Sequence, residues 1–117
     1  MNIEQFREYC LAKKGVTEEF PFGPDTLVFK VIGKMFALTG LESSPYKISL
    51  KCDPERALEL RGEFDGLITE AYHFNKKHWN SILPEALPEI LVCDLIDHSY
   101  NLVIAKLPKK QREGLIS

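Results

Sequence analysis

Two short apolar runs joined by a turn restrict the fold of this chain more than any other part of the sequence. Residues 27–32 and 35–39 are rich in β-branched and aromatic side chains, which favour extended strands. Between them, Gly33-Lys34 fits a two-residue hairpin turn. Since a turn of this kind joins antiparallel strands, we expect an antiparallel sheet.

Three more segments are predicted to be strands. Residues 46–51 alternate, with an apolar side chain at every second position. Residues 67–73 and 78–83 form a second hairpin, whose polar tip is Asn75-Lys76-Lys77. Residues 16–25 contain two prolines and a glycine, and this composition predicts an irregular loop.

Three helices accompany these strands. Asn2 and Gln5 have the spacing of a capping box, so the first helix begins there and ends before Gly15. Asp53-Pro54 predicts the start of a short second helix, with Asp as N-cap and Pro at the first helical position. The last helix opens at Pro88 and stops at Pro108, before a basic tail. Its predicted buried stripe consists of Leu91, Val92, Leu95, Ile96, Leu102, Val103 and Leu107.

The resulting order is α-β-β-β-α-β-β-α. Hairpin connections with helices before and after them predict an α+β fold, a two-layer sandwich of helices on one face of an antiparallel sheet. The length of 117 residues predicts one domain that spans residues 1–117.

Charge and cysteine content narrow the classes of function. The net charge of -2 gives no overall attraction to phosphate, so nucleic-acid binding would need a local basic patch. No apolar run is long enough to span a membrane, and the first residues do not resemble a secretory leader. Cys10, Cys52 and Cys93 are far apart and odd in number, which predicts reduced thiols without a disulfide or a metal. We therefore expect a cytoplasmic protein.

No pattern in the sequence predicts catalysis or a cofactor. The chain contains neither a G-x-S-x-G elbow nor a glycine-rich phosphate loop. His73 with His78, and Asp94 with His98, have spacings that can hold a divalent ion, but the three-ligand zinc pattern is absent. We expect a protein that is not an enzyme and has no cofactor and no metal.

The second hairpin and the predicted outer face of the sheet concentrate basic and amide side chains. Lysine at these positions could contact phosphate, and asparagine could hydrogen-bond a base edge. The alternative is that the lysines are solvated surface. The predicted nucleic-acid-binding residues are Lys30, Lys47, Lys51, Asn75, Lys76, Lys77, His78 and Asn80.

Trp79 has two possible roles. Together with Tyr72 it could stack on an unpaired base. Its large apolar area instead favours a structural role, with the ring facing inward into the core. The second role is the one that we expect.

Four blocks of this sequence resemble the MmcQ/YjbR family. They are Pro21-Phe22-Gly23, residues 29–37, residues 75–80 and residues 95–103, in the family's order. The resemblance implies a small bacterial cytoplasmic protein with an α-β3-α-β2-α fold, similar to type III secretion chaperones and to double-wing DNA-binding domains. It implies DNA binding, which is the usual label of the family, and no established enzymatic activity.

The resemblance adds His98, Ser99 and Tyr100 as motif residues near the hairpin. In a structural account, His78, Asn80, His98 and Ser99 satisfy each other's hydrogen bonds where helix meets sheet. In a functional account, the same side chains shape a recognition surface. The leading prediction is a non-enzymatic module that binds DNA; the alternative is a protein-interaction adaptor that holds a partner segment on its sheet.

Overall fold

The computed structural model describes residues 1–71 and 74–116. The strands are β1 (Val16–Glu19), β2 (Thr26–Val31), β3 (Lys34–Gly40), β4 (Ile48–Lys51), β5 (Ile68–Glu70) and β6 (Trp79–Ile82). The helices are α1 (Ile3–Leu11), α2 (Pro54–Glu63), α3 (Glu89–Ala105) and α4 (Lys109–Ile116). The strands form one antiparallel sheet in the order β1-β2-β3-β4-β6-β5. The predicted α+β class with an antiparallel sheet is confirmed.

Helices α1, α2 and α3 pack on one face of this sheet and close the main core. Edge-to-face ring pairs join the two layers: Phe6 with Phe29 at 5.3 Å and Phe36 with Tyr100 at 5.4 Å between ring centroids. The residues of α3 that are buried here are Val92, Leu95, Ile96, Ser99, Tyr100 and Val103. They confirm most of the predicted stripe, although Leu91 and Leu102 are only half-buried.

The structure contains two elements that the predicted order lacked. Strand β1 lies where an irregular loop was expected, and it pairs with β2 in the register Val16↔Val31. Its two glutamates are held by cations: Arg7 binds Glu18 through two hydrogen bonds of 2.7 Å, and Lys30 lies 3.3 Å from Glu19. Helix α4 occupies the segment predicted to be a basic tail.

The turn of the first hairpin lies one residue earlier than predicted. Val31 pairs with Lys34, so Ile32 and Gly33 are the two turn residues. Their φ angles are 48° and 74°. Positive φ at both central residues defines a type I′ turn, which matches the twist of the flanking strands. Isoleucine is unusual in this conformation, so Ile32 was predicted to be in the strand and the turn was placed at Gly33-Lys34 on its Gly-x pattern.

The predicted helix starts are confirmed. Asn2 and Gln5 form the capping box through hydrogen bonds of 2.8 and 2.9 Å, and Asp53 accepts the N–H of Arg56 at 3.2 Å. The strand predicted over residues 67–73 is shorter in the structure, where it spans Ile68–Glu70; its Tyr72 and His73 lie outside the described residues. In the part of the chain that the structure describes, no helix is long and apolar enough to cross a membrane.

Candidate nucleic-acid interface

The sheet carries a second hydrophobic cluster on the face opposite the helices. It consists of Val28, Leu38, Ala71 and Trp79, with Met35 and Phe74 packed against them. Val28 and Leu38 are register partners, and the next pair along, Phe29 and Ala37, belongs to the main core. Because successive side chains of a strand point to opposite faces, the cluster lies on the other side of the sheet. None of its members comes from a helix, and we call this side the open face.

A broad groove of about 530 Å³ crosses the open face, and we call it the sheet groove. Its lining consists of Phe22, Thr26, Leu38, Gly40, Ser43, Lys47, Ser49, Ala71, Phe74 and Ser81. The hydroxyl oxygens of Ser49 and Ser81 lie 3.1 Å apart across β4 and β6. The groove therefore combines an apolar floor, hydrogen-bonding hydroxyls and one cation.

A second groove of about 410 Å³ lies at the end of the sheet where β3 begins, β4 ends and β6 begins, and we call it the lysine groove. Its lining consists of Lys34, Met35, Lys51, Trp79, Val103, Lys106 and Leu107. The two grooves share the open-face cluster, because Leu38, Ala71 and Phe74 line the first while Met35 and Trp79 line the second.

Lys51 lies at the end of β4 and is partly withdrawn from solvent. It is half-buried, and its backbone N–H donates to the Ser99 hydroxyl at 2.9 Å, which fixes the strand end beneath it. Burial, and then the neighbouring ammonium of Lys106, lower the pKa of Lys51. Of the other predicted lysines, Lys47 lines the sheet groove, while Lys30 is engaged by Glu19.

Trp79 is buried, with 7% of its surface exposed, but it faces the side opposite to the predicted one. Its ring packs on the open face against Phe74, with ring centroids 5.2 Å apart and planes inclined by 34°. The predicted burial of the ring is confirmed, whereas its expected position in the core beneath the helices is corrected. The strand buries apolar side chains on both faces, so the size of the tryptophan did not identify the helical side.

Asn80 points to the helical side instead. Its carbonyl oxygen accepts the Nε–H of Arg61 at 2.7 Å, and its amide donates to the Ala57 carbonyl at 3.4 Å. Arg61 also donates to the backbone carbonyl of Lys76. The side chain of Asn80 thus connects β6 to α2, and no sequence pattern indicated Arg61 as its partner.

The tip of the second hairpin lies beside α2 rather than on the open face. Asn75 Oδ1 accepts the backbone N–H of Lys77 at 3.0 Å, which shapes the turn. Lys76 and Lys77 are exposed and line a small groove together with Pro54, Glu55, Leu58 and Arg61. The neighbouring half-buried His78 uses its backbone carbonyl to accept the N–H of Cys52 at 2.7 Å.

The motif residues of α3 form hydrogen bonds with backbone groups elsewhere in the chain. The Ser99 hydroxyl donates to the Phe36 carbonyl at 2.5 Å, and the Tyr100 hydroxyl donates to the Lys14 carbonyl at 2.6 Å. His98 Nε2 accepts the N–H of Asp53 at 3.1 Å. These partners differ from the mutual network that the structural account proposed for His78, Asn80, His98 and Ser99.

His98 also has a perturbed titration. Burial, and then the guanidinium of Arg56, lower the pKa of His98 below its ordinary value. A neutral imidazole suits its role, because a protonated Nε2 cannot accept the Asp53 N–H.

Within residues 1–71 and 74–116, no group of three or more His, Cys, Asp or Glu side chains comes close enough together to hold a metal ion. Cys10, Cys52 and Cys93 are free thiols, and the first two are buried. Burial raises the pKa of the Cys52 thiol.

The structure adds four residues to the candidate site that sequence reasoning missed: Phe22, Lys34, Phe74 and Lys106. Lys34 and Lys106 are far apart in sequence, so no local spacing could relate them. Phe22 and Phe74 lie in loops, where no strand alternation indicates a face.

A family model described as YjbR matches residues 11–102. The chain is 44% identical over 96 residues to the uncharacterized protein YbdF of Escherichia coli O157:H7, which covers 80% of this chain and 77% of that protein. It is 30% identical over 117 residues to the uncharacterized protein YjbR of Escherichia coli K12, covering 99% of this chain and 98% of that one.

Solved structures of similar proteins have the same fold. The crystal structure of Deinococcus radiodurans protein DR2400, with a domain named DUF419, aligns with a TM-score of 0.90 at 40% identity, over 97% of this chain and 87% of that one. A crystal structure of a Pseudomonas syringae protein aligns with a TM-score of 0.73 at 31% identity, over 87% of this chain and 98% of that one.

Proposed function

Since this chain belongs to the YjbR family, and since lysine lines both a groove on the open face of its sheet and a groove at the end of that sheet, we propose that it is a non-enzymatic DNA-binding protein of the bacterial cytoplasm. The DNA lies across the open face as a single strand. The sheet groove takes the bases, and lysines along both grooves contact the phosphates.

The distribution of charge is the observation that carries this proposal. The chain has a net charge of -2, yet the described lining of the sheet groove and of the lysine groove contains lysine and no aspartate or glutamate. A local excess of cations in an acidic protein supports an anionic ligand at that place.

Aromatic side chains at the sheet groove favour a single strand over a duplex. Phe22 is 62% exposed at the groove, and the half-buried Phe74 lies in its wall. Unpaired bases can stack on such rings, whereas the bases of a duplex are already stacked on each other. The hydroxyls of Ser49 and Ser81, which also line the sheet groove, provide hydrogen-bonding groups.

Binding measured at two salt concentrations tests the proposal. Fluorescence anisotropy would follow a labelled single-stranded oligonucleotide and its duplex with the parent and with the Lys47→Ala/Lys51→Ala variant. We expect tighter binding of the single strand, and in the variant a salt slope reduced by about one to two for the two lost phosphate contacts.

A charge-matched control is available in α4. Lys109 and Lys110 are exposed and line neither groove. Lys109→Ala/Lys110→Ala should leave the affinity and the salt slope close to those of the parent. Absence of binding to any DNA, or equal losses in both double variants, would overturn the proposal.

A protein-interaction adaptor is the second candidate function, favoured by the apolar loop beside the sheet groove. Phe20 and Phe22 are 50% and 62% exposed, so an extended peptide could cover them together with the cluster below. Burial of apolar surface gives binding that depends little on salt, whereas phosphate contacts weaken steeply as salt rises. The salt series therefore separates the two functions.

A further inference from the structure

The lysine groove brings cations together without compensating acids. Lys34, Lys51 and Lys106 line it, and no carboxylate of the described residues forms an ion pair with any of them. The other lining residues are apolar: Met35, Trp79, Val103 and Leu107.

This arrangement is unfavourable in the absence of an anion. Like charges repel, and the repulsion increases when one of them is withdrawn from water, as the half-buried Lys51 is. Burial and the charge of Lys106 lower the pKa of Lys51, in agreement with this repulsion. An anion placed between the ammonium groups would remove the repulsion and gain charge-assisted hydrogen bonds.

We propose that the lysine groove is a binding site for a terminal phosphate group that is carried on an apolar or aromatic body. Three cations match the double negative charge of a phosphate monoester better than the single charge of a carboxylate or a phosphodiester. The apolar lining residues, Trp79 among them, accommodate the group that carries the phosphate. The groove volume of about 410 Å³ lies in the range of small-molecule sites.

Two sources can supply such a phosphate, and the first rests on the proposed function. A DNA strand that crosses the sheet groove could place its 5′-terminal phosphate here, since both grooves share the open-face cluster. A free nucleoside monophosphate carries the same chemical group. The chemistry of the site is the same in both cases.

The test uses adenosine 5′-monophosphate, adenosine, and one oligonucleotide with and without a 5′-phosphate. Backbone amide shifts in the NMR spectrum would report where each probe binds, and titrations would give affinities. Lys51→Met/Lys106→Met removes two charges and retains most of the aliphatic volume. Lys109→Ala/Lys110→Ala is the charge-matched control, and amide spectra with thermal melts establish that each variant is folded.

We expect the monophosphate to shift the amides of Lys34, Lys51, Trp79 and Lys106, and adenosine to bind at least about tenfold more weakly. The Lys51→Met/Lys106→Met variant should lose that preference, and the control should keep it. If only the oligonucleotide gains affinity from its 5′-phosphate, and loses the gain in the variant, the phosphate comes from a strand end and the inference holds.

The two proposals fail in different ways. A strand that binds equally well with and without its 5′-phosphate, together with no amide shifts from the monophosphate, overturns the phosphate site and leaves DNA binding intact. Monophosphate binding at these amides with no affinity for any oligonucleotide supports the phosphate site and overturns the proposed function. A preference for the monophosphate that survives in the variant also overturns the lysine groove as its site.

Discussion

Trp79 and Asn80 are adjacent in β6 and are anchored on opposite faces of the sheet. The Trp79 ring packs against Phe74 on the open face, whereas Asn80 accepts the Nε–H of Arg61 from α2 at 2.7 Å. One dipeptide therefore connects the floor of the candidate binding face to the helical layer.

The Trp79→Ala variant should be destabilised by about 3–5 kcal/mol, because truncation of a buried large aromatic leaves a cavity in the open-face cluster. Urea denaturation measures the free energy of unfolding. Trp79→Phe keeps much of the apolar contact and should lower the free energy of unfolding by less. An alanine variant as stable as the parent would mean that the cluster contributes little to folding.

Replacement of Asn80 by Ala should cost about 1–3 kcal/mol, since Arg61 loses an acceptor in a partly buried place. Asn101, which is exposed on α3, gives a matched control in Asn101→Ala with an expected change within roughly 0.5 kcal/mol. Both values come from chemical denaturation. Equal effects of the two substitutions would contradict a role for the Arg61 contact.

We predict that the titration of His98 lowers the free energy of unfolding in mild acid. Burial and Arg56 hold the folded pKa of His98 below the ordinary 6.5 of the unfolded chain. Between these two pKa values the unfolded state binds more protons, so the free energy of unfolding decreases as the pH falls below about 6.5. Above about pH 6.5 His98 is neutral in both states, so its full contribution to the free energy of unfolding is present.

Comparison with His98→Gln isolates this effect, because glutamine can still accept the Asp53 N–H but does not titrate. The parent should lose more stability than the variant between about pH 8 and about pH 5.5, measured by urea denaturation at each pH. Parallel pH profiles for the two proteins would exclude His98 as a source of acid sensitivity.

Leu95 anchors α3 in the main core, where 4% of its surface is exposed. Leu95→Ala should cost about 2–5 kcal/mol, the usual range for a core leucine. Leu58 on α2 is 64% exposed and gives the control, since Leu58→Ala removes the same atoms from a surface position. Thermal melts would rank the two variants, and similar melting temperatures would argue against this packing.

The hairpin pair Lys76→Ala/Lys77→Ala should leave stability within roughly 0.5 kcal/mol, because both side chains are exposed. Its effect on DNA affinity should be smaller than that of Lys47→Ala/Lys51→Ala, since the hairpin tip lies beside α2. The reverse ranking in anisotropy titrations would indicate that the phosphate contacts lie at the hairpin and not on the open face.

The sequence predicted the parts of the fold that depend on local chemistry. The caps at Asn2 and Asp53 bind nearby backbone, so their spacing suffices to find the helix starts. Strand β1 was missed because Glu18 and Glu19 occupy a short edge strand, where ion pairs with Arg7 and Lys30 replace apolar alternation.

The candidate site was predicted less completely for a related reason. Alternation shows that Trp79 and Asn80 face opposite sides, but it does not show which side the helices cover. The partnership of Lys34, Lys51 and Lys106 depends on tertiary structure, because these residues line one groove only where the start of β3, the end of β4 and the end of α3 come together.

The two edge strands of the sheet affect how the protein behaves at high concentration. An open sheet presents unpaired backbone at its outermost strands, where another copy of the chain could add a strand and begin aggregation. Here one outermost strand, β1, carries Glu18 and Glu19 in ion pairs with Arg7 and Lys30, and the other, β5, is three residues long. Charge on one edge and brevity on the other should limit edge-to-edge polymerisation of the folded protein.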